Sequence, residues 1–166
     1  TKGELKNQRD SLKRFTRYLP TLQLKKQQLQ LEARQAREQL RQAREQAEST
    51  RREAAAWVGL VTEAHAEELQ SLVRVEQCVL GARNIAGIEV PTLESVELAV
   101  SEYDPFTRPL WYPEAVVLIQ RMLEEDIRVS LLEEQVRRIE DELRTTTQRV
   151  NLFEKVMIPE TRENIR

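Results

Sequence analysis

"AVVLIQRMLEEDIRVSLLEEQVRRIEDELRTTTQRVNLFEKVM", residues 115–157, repeats apolar side chains at alternating spacings of three and four. Leu118, Met122, Val129, Leu132, Val136, Ile139, Leu143, Val150, Phe153 and Met157 form the series, with Glu125 and Thr146 as polar members. Only a helix gathers such a period onto one face. A matching seam precedes it in the chain. Steps of seven from Leu5 give Leu12, Leu19, Lys26, Ala33, Leu40, Ala47 and Ala54, and the companion series gives Gln8, Phe15, Leu22, Leu29, Ala36, Ala43, Thr50 and Trp57. The small residues in its second half suit close approach of a partner helix. At 1.5 Å per residue each arm is about 80 Å long.

Between the seams the pattern changes. Residues 73–112 hold two of the four glycines and three of the six prolines, and their apolar residues alternate in short runs: Val73 and Val75, then Val96, Leu98 and Val100. Two or three short strands joined by turns around "GARNIAG" are expected, followed by the loop "YDPFTRP". Pro113 and Glu114 suit the first turn of the following helix. The predicted fold is mainly α, a long antiparallel two-helix coiled-coil hairpin (1–72 and 113–166) with a small β-containing head (73–112). Its predicted core includes Leu12, Phe15, Leu19, Leu22, Leu29, Leu40, Leu132, Val136, Ile139, Leu143, Val150 and Phe153.

Composition narrows the function classes. A charged fraction of 33% with only 5% aromatics is that of long helices rather than a thick globular core. The longest charge-free run, Ala54–Thr62, is nine residues, where a membrane span needs about 20. No direct membrane insertion and no secretory signal are expected. The single cysteine, Cys78, excludes an internal disulfide and fits a reducing compartment. A net charge of −2 gives no reason to expect nucleic acid.

That small net charge hides a segregation. Residues 1–57 carry +7, residues 58–112 carry −6 and residues 113–166 carry −3. Residues 1–30 hold eight basic side chains against two acidic, so a hairpin would have a basic tip and an acidic head, each favouring a partner of opposite sign. The competing explanation is an ordinary solvated outside of a coiled coil.

Chemistry is sparse. His65 has no ligand-spaced companion and reads as a plain helix residue. Cys78, in the apolar run "EQCVL", reads as a buried strand residue rather than a nucleophile. "GARNIAG" lacks the lysine and Ser/Thr of a phosphate loop. Glu124-Glu125-Asp126 and Glu140-Asp141-Glu142 recur beside arginines as solvated faces. No enzyme, metal site or cofactor is expected.

Two prolines interrupt the helical pattern. Pro159, and Pro20 in the first arm, each remove a helix hydrogen bond and crowd a carbonyl four residues back, that of Lys155 or Thr16, at a cost of roughly 3 kcal/mol. Kinks are expected at both, with division of the first arm as an alternative at Pro20. The segment around Pro159, "TTTQRVNLFEKVMIPETRENIR", closely resembles the C-terminal signature of the D subunits of V/A-type rotary ATPases, through Thr146, Thr147, Arg149, Val150, Asn151, Glu154, Ile158 and Pro159. "TKGELKNQRDSLKRF" resembles that family's opening and "NIAGIEVPTLESV" its bacterial middle segment, so the resemblance covers essentially the whole chain.

The resemblance implies the central rotor shaft of a V/A-type ATPase or ATP synthase, non-catalytic, on the cytoplasmic side of the cell membrane as a peripheral part of a membrane complex. It transmits torque between the A and B catalytic subunits and the membrane ring, coupling ATP synthesis or hydrolysis to proton or sodium transport. Its head would bind the small F subunit and sit on the funnel-shaped C/d-type subunit. Partner contacts are expected at the catalytic-ring end from Lys2, Lys6, Arg9, Lys13, Thr146, Thr147, Arg149, Asn151, Glu154 and Pro159. At the head they are expected from Val75, Val79, Ile88, Val90, Val96 and Leu98. Curvature at the prolines would make the shaft eccentric, although local packing alone would also account for kinks. The alternative is a prefoldin-like coiled-coil chaperone, also helix, β-hairpin and helix, or a plain scaffold. Oligomeric state separates them, since prefoldin forms hexamers.

Overall fold

Both heptad stripes become the covered faces of long helices. The structure, a computed structural model, describes the backbone of residues 1–166 and every side chain except that of Val58. In chain order the elements are α1 (Lys2–Ala55), α2 (Glu63–Leu72), β1 (Val73–Ile85), β2 (Ile88–Val100), α3 (Tyr112–Leu152) and α4 (Ile158–Ile165). Tight 3-10 turns occupy Val58–Leu60 and Pro105–Thr107, and a π-helical turn, Phe153–Met157, joins α3 to α4. The protein is mainly helical, with one small two-stranded antiparallel sheet.

The chain divides into two compact units. The first comprises residues 1–35, 84–88 and 137–166. Within it Leu29, Ala33, Ile139, Val150 and Ile158 are buried, Phe15 meets Phe153 edge to face at 5.4 Å, and Lys25 pairs with Glu142 at 2.7 Å. Ile85, beside the hairpin turn, is buried in the same unit.

The second unit comprises residues 36–83 and 89–136. Here Arg44 pairs with Glu133, Arg51 with Asp126 and Glu53 with Arg121, at 2.9–3.1 Å. Residue numbers rise along one helix as they fall along the other, so the paired segments run antiparallel within the unit. Such exposed pairs add little stability and act mainly on register. Thr50, buried in the stripe, donates its hydroxyl to one oxygen of the Glu125 carboxylate at 2.9 Å, whereas the other Glu125 oxygen and the buried Thr146 hydroxyl have no hydrogen-bond partner among the described residues. A separate apolar cluster gathers Leu69, Leu72, Val73, Tyr112, Ala115 and Val116, with Leu98, Tyr103 and Trp111 packed against it.

Every stripe position named from the sequence is buried or half-buried, whereas Tyr18, Leu24 and Leu31, off the stripe, are exposed. Four expectations need correction, three here and one at Pro20 below. The segment read as one helix to residue 72 breaks after Ala55: the backbone tightens into three-residue turns at Ala56, Trp57 and Leu60, and Thr62 then caps α2 by accepting from the His65 amide. The strands are thirteen residues each, not short, because the connection is only Ala86-Gly87. Both of those residues have positive φ, 49° and 89°, the geometry of a type I′ turn, which lets pairing continue to the turn itself. Cys78 lies on β1 as expected but is exposed, since most of β1 has no layer over it.

A two-stranded hairpin is marginal by itself in water. Val90 is fully covered, and Gln135 of α3 donates Nε2 to the Pro91 carbonyl at 2.6 Å, which ties β2 to the second unit. Pro20 lies inside an unbroken α1, so the division of the first arm there is overturned.

Ile139 is wholly buried, so Ile139→Ala should lower stability by about 2–5 kcal/mol in urea denaturation, whereas Leu31→Ala on the exposed face should change it by less than about 0.5 kcal/mol.

Candidate functional site

Four cations begin α1. Lys2, Lys6, Arg9 and Lys13 follow one another at spacings of four, three and four, which on a helix is one face, and all four are exposed. They form a cationic stripe in the first unit, and Arg17 continues it one turn further. That unit carries sixteen basic side chains against nine acidic, and the second ten against nineteen, so the segregation is +7 against −9.

The C-terminal motif separates into two kinds of residue. Thr146 is 1% exposed and Val150 is buried, so these two face the core of the unit and present nothing to a partner. Arg149, Asn151, Glu154 and Pro159 are exposed and Thr147 is half-buried, which leaves them accessible.

Pro159 sits where the helix has already changed its hydrogen bonding. The amide of Ile158 donates to the Phe153 carbonyl, five residues back rather than four, and the widened turn lies immediately before the proline. Widening relieves the clash between the ring and the preceding turn, and no amide donor is needed at Pro159. The apolar spacing carries the same signal. After Phe153 and Met157 a strict heptad would cover Glu160 and Asn164, but the covered residues are Ile158, Thr161 and Ile165. That is a one-residue shift, and a π turn accommodates one extra residue. The turn before the proline is thus a local expansion of the helix that takes up one extra residue.

The six head residues are divided by burial. Val90 is at the core and offers no face, and Leu98, half-buried, packs on the cluster around Leu72 and Tyr112. Val79, Ile88 and Val96 are half-buried, and only Val75 is exposed. The alternation of strand residues marks one covered face, but it does not tell which face meets the chain's own helices.

The most ordered polar device is in the segment after β2. Arg108 forks onto Glu68 of α2, with Nε at 3.0 and 3.1 Å from the two carboxylate oxygens and Nη2 at 2.7 Å from Oε1. Its guanidinium also lies 5.9 Å from the centre of the Tyr112 ring. This hydrogen bonding holds the Glu68 carboxyl below the usual carboxylate range, and burial pushes the Tyr112 phenol upward. His65, read as a plain helix residue, instead stands edge-on to Trp111 and Tyr112 at 5.5 and 6.0 Å.

Among the described residues no cluster of His, Cys, Asp or Glu is placed to hold a metal ion, and no helix is long and apolar enough to cross a membrane. An apolar hollow of about 450 Å³ lies within the second unit, lined by residues that include Trp57, Val61, Leu69, Leu118 and Met122. The features accessible at the surface are a cationic stripe and scattered apolar side chains, and the fold they sit on is that of a mainly helical protein built on long helices with covered stripes. The sequence profile of the ATP synthase D subunit matches residues 4–166. The chain is 36% identical to the V-type ATP synthase D subunit of Borreliella burgdorferi over 166 residues, covering all of this chain and 81% of the relative. It is 32% identical over 167 residues to the protein of the same name from Chlamydia caviae, covering all of this chain and 80% of the relative, and 30% identical to that of Chlamydia muridarum, covering 82% of the relative. The chain belongs to the family of ATP synthase D subunits.

Because the folded-state pKa of Glu68 is depressed, the fork contributes fully above the ordinary carboxylate pKa of about 4.3 and its contribution is lost as pH falls through the lowered value. The hydrogen-exchange protection of the Thr107 and Tyr112 amides, relative to the intrinsic exchange rate at each pH, should hold at pH 5 and fall below about pH 4, and Glu68→Gln should remove that pH step.

Proposed function

We propose that this chain is the central shaft of a V/A-type rotary ATPase or ATP synthase, turning with the A and B catalytic subunits around it and passing torque toward the membrane ring. The arms 1–72 and 113–166 would form an antiparallel coiled coil, with 73–112 between them as the head. The observation that carries this is the pair of long helices with one covered stripe apiece, together with membership of the family. Two helices locked along a common seam resist twist and bending better than one, as transmission of torque requires. Thr50 and Glu125, paired inside that seam, would resist slippage of one helix past the other.

The cationic stripe from Lys2 to Lys13 is the part we assign to the catalytic ring, together with Thr147, Arg149, Asn151, Glu154 and Pro159. A positively charged shaft inside a ring lined with acidic and polar groups is held by a long-range field rather than by a few tight contacts, and so can turn without breaking a strong bond at each step. Val75, Val79, Ile88 and Val96 are assigned to the small F subunit, and the funnel-shaped C/d-type subunit would carry the head. In this role the chain binds no nucleotide, and ions pass through other subunits at the membrane to which the complex is attached on its cytoplasmic side.

Purification of the tagged chain from its native cells should recover the A and B subunits and a small F subunit. Recovery of self-assembled hexamers with assorted unfolded clients would overturn the assignment. In the recovered complex, replacing Lys2, Lys6, Arg9 and Lys13 together by glutamine should lower ion-coupled turnover and leave the chain's melting temperature unchanged. Unaltered coupling would remove the stripe from the mechanism.

A further inference from the structure

Small side chains line the apolar hollow of the second unit. Its volume is about 450 Å³, and Ala54, Ala66 and Ala115 stand in its walls beside Trp57, Leu118 and Met122. The lining comes from the end of α1, the turns that follow it, α2 and α3, so the hollow lies where the first helix breaks and its successor starts. Leu69, Ala115 and Leu118 are only 4–7% exposed, so these walls are held by the chain's own packing. Protein interiors leave few voids larger than a water molecule, and apolar pockets of roughly 300–1,000 Å³ are the size of small-molecule sites. A second hollow, of about 390 Å³, shares Trp57 and Leu118 with the first and adds Glu53, Glu114 and Arg121. Asp126 at the first hollow pairs with Arg51, and Glu53 at the second pairs with Arg121, at 3.0 and 2.9 Å. Glu114, exposed at the second hollow, is the carboxylate in excess, in a unit with ten basic side chains against nineteen acidic.

We propose that the hollow beside Trp57 is a binding site for a lipophilic amine, which places its apolar ring system among α2 and α3 residues and its protonated nitrogen toward Glu114. An apolar body gains by leaving water for walls that are already formed, and a rigid one loses little entropy there. The charge of the ligand follows from the surroundings. A cation is drawn by Glu114 and by the negative field of the unit, and the indole of Trp57 is the aromatic ring that best accepts a cation over its face. An anion meets the same field as repulsion. A neutral compound fills the hollow but gains nothing from Glu114. Both hollows lie wholly within the second unit, so the inference stands apart from the rotary assignment.

The test uses three dansyl compounds that share a ring system and differ in charge: cationic dansylcadaverine, neutral dansylamide and anionic dansylglycine. Each is titrated into the purified full chain and read by dansyl emission excited through Trp57 and Trp111. Dansylcadaverine should saturate at one molecule per chain and bind at least about tenfold more tightly than dansylglycine. Ala66→Leu adds bulk to the wall, and should weaken dansylcadaverine and dansylamide alike by about tenfold or more with the melting temperature of the chain retained. Glu114→Gln, at an exposed position, should narrow the advantage of dansylcadaverine over dansylamide and leave dansylamide binding unchanged; it carries the test if the leucine variant does not fold. Emission that never saturates, equal affinity for the cationic and anionic probes, or binding that neither substitution alters overturns the site. Binding shown by the isolated chain and missing from the complex purified from native cells also overturns it, because a neighbouring protein would then fill the hollow.

Discussion

The covered apolar stripe is the constraint on which the rest depends. A helix more than forty residues long is not held by propensity alone; it needs a continuous line of side chains removed from water. Leu29 and Ile139 provide bulk where the first unit is packed, while Ala36, Leu40 and Ala47 line the second, where small residues permit close approach. Among the polar members of the stripe, Thr50 and Glu125 meet each other through one hydrogen bond. A buried pair of this kind adds little net stability but penalises slippage, which would leave both groups unpaired.

The same constraint explains the irregularities. A proline near the C-terminus and a one-residue shift in the apolar spacing would each disrupt a regular helix if they occurred alone. Placed together they are met by one π turn, which makes room for the ring and also rotates Ile158, Thr161 and Ile165 onto the covered side. At the other end of α1 the charge-free run from Ala54 to Thr62 loses its helix, because Thr62 begins a new one with its own cap. Trp57 of that run then meets Trp111 edge to face, with ring centres 6.1 Å apart.

Function follows the surface left over once the stripe is covered. The first unit is strongly basic and carries a regular line of lysine and arginine; the second is strongly acidic and carries a clamped loop with two exposed apolar side chains. These are different recognition chemistries, one diffuse and electrostatic, the other anchored by shape. The shaft role proposed above, turning against one set of neighbours and fixed to another, would use both kinds.

The helices and their covered residues were legible in the sequence, because periods of three and four have only one regular solution and its exposed remainder is equally determined. The hairpin turn could be placed near "GARNIAG", although the length of the strands depended on Ala86 as well as Gly87 taking positive φ. The π turn was encoded too, in the shift from Met157 to Ile158 beside Pro159, yet the proline by itself does not announce a widened turn until the covered residues beyond it are known. What only the tertiary structure decided is which apolar residues the chain uses itself. Val90, Leu98 and Thr146 turn inward, whereas Val75, Cys78, Phe106 and Leu110 remain outside. The physical reason is that burial in a strand or loop depends on what lies against it. Residue type and local spacing are the same for a side chain that completes its own core and for one that awaits another protein.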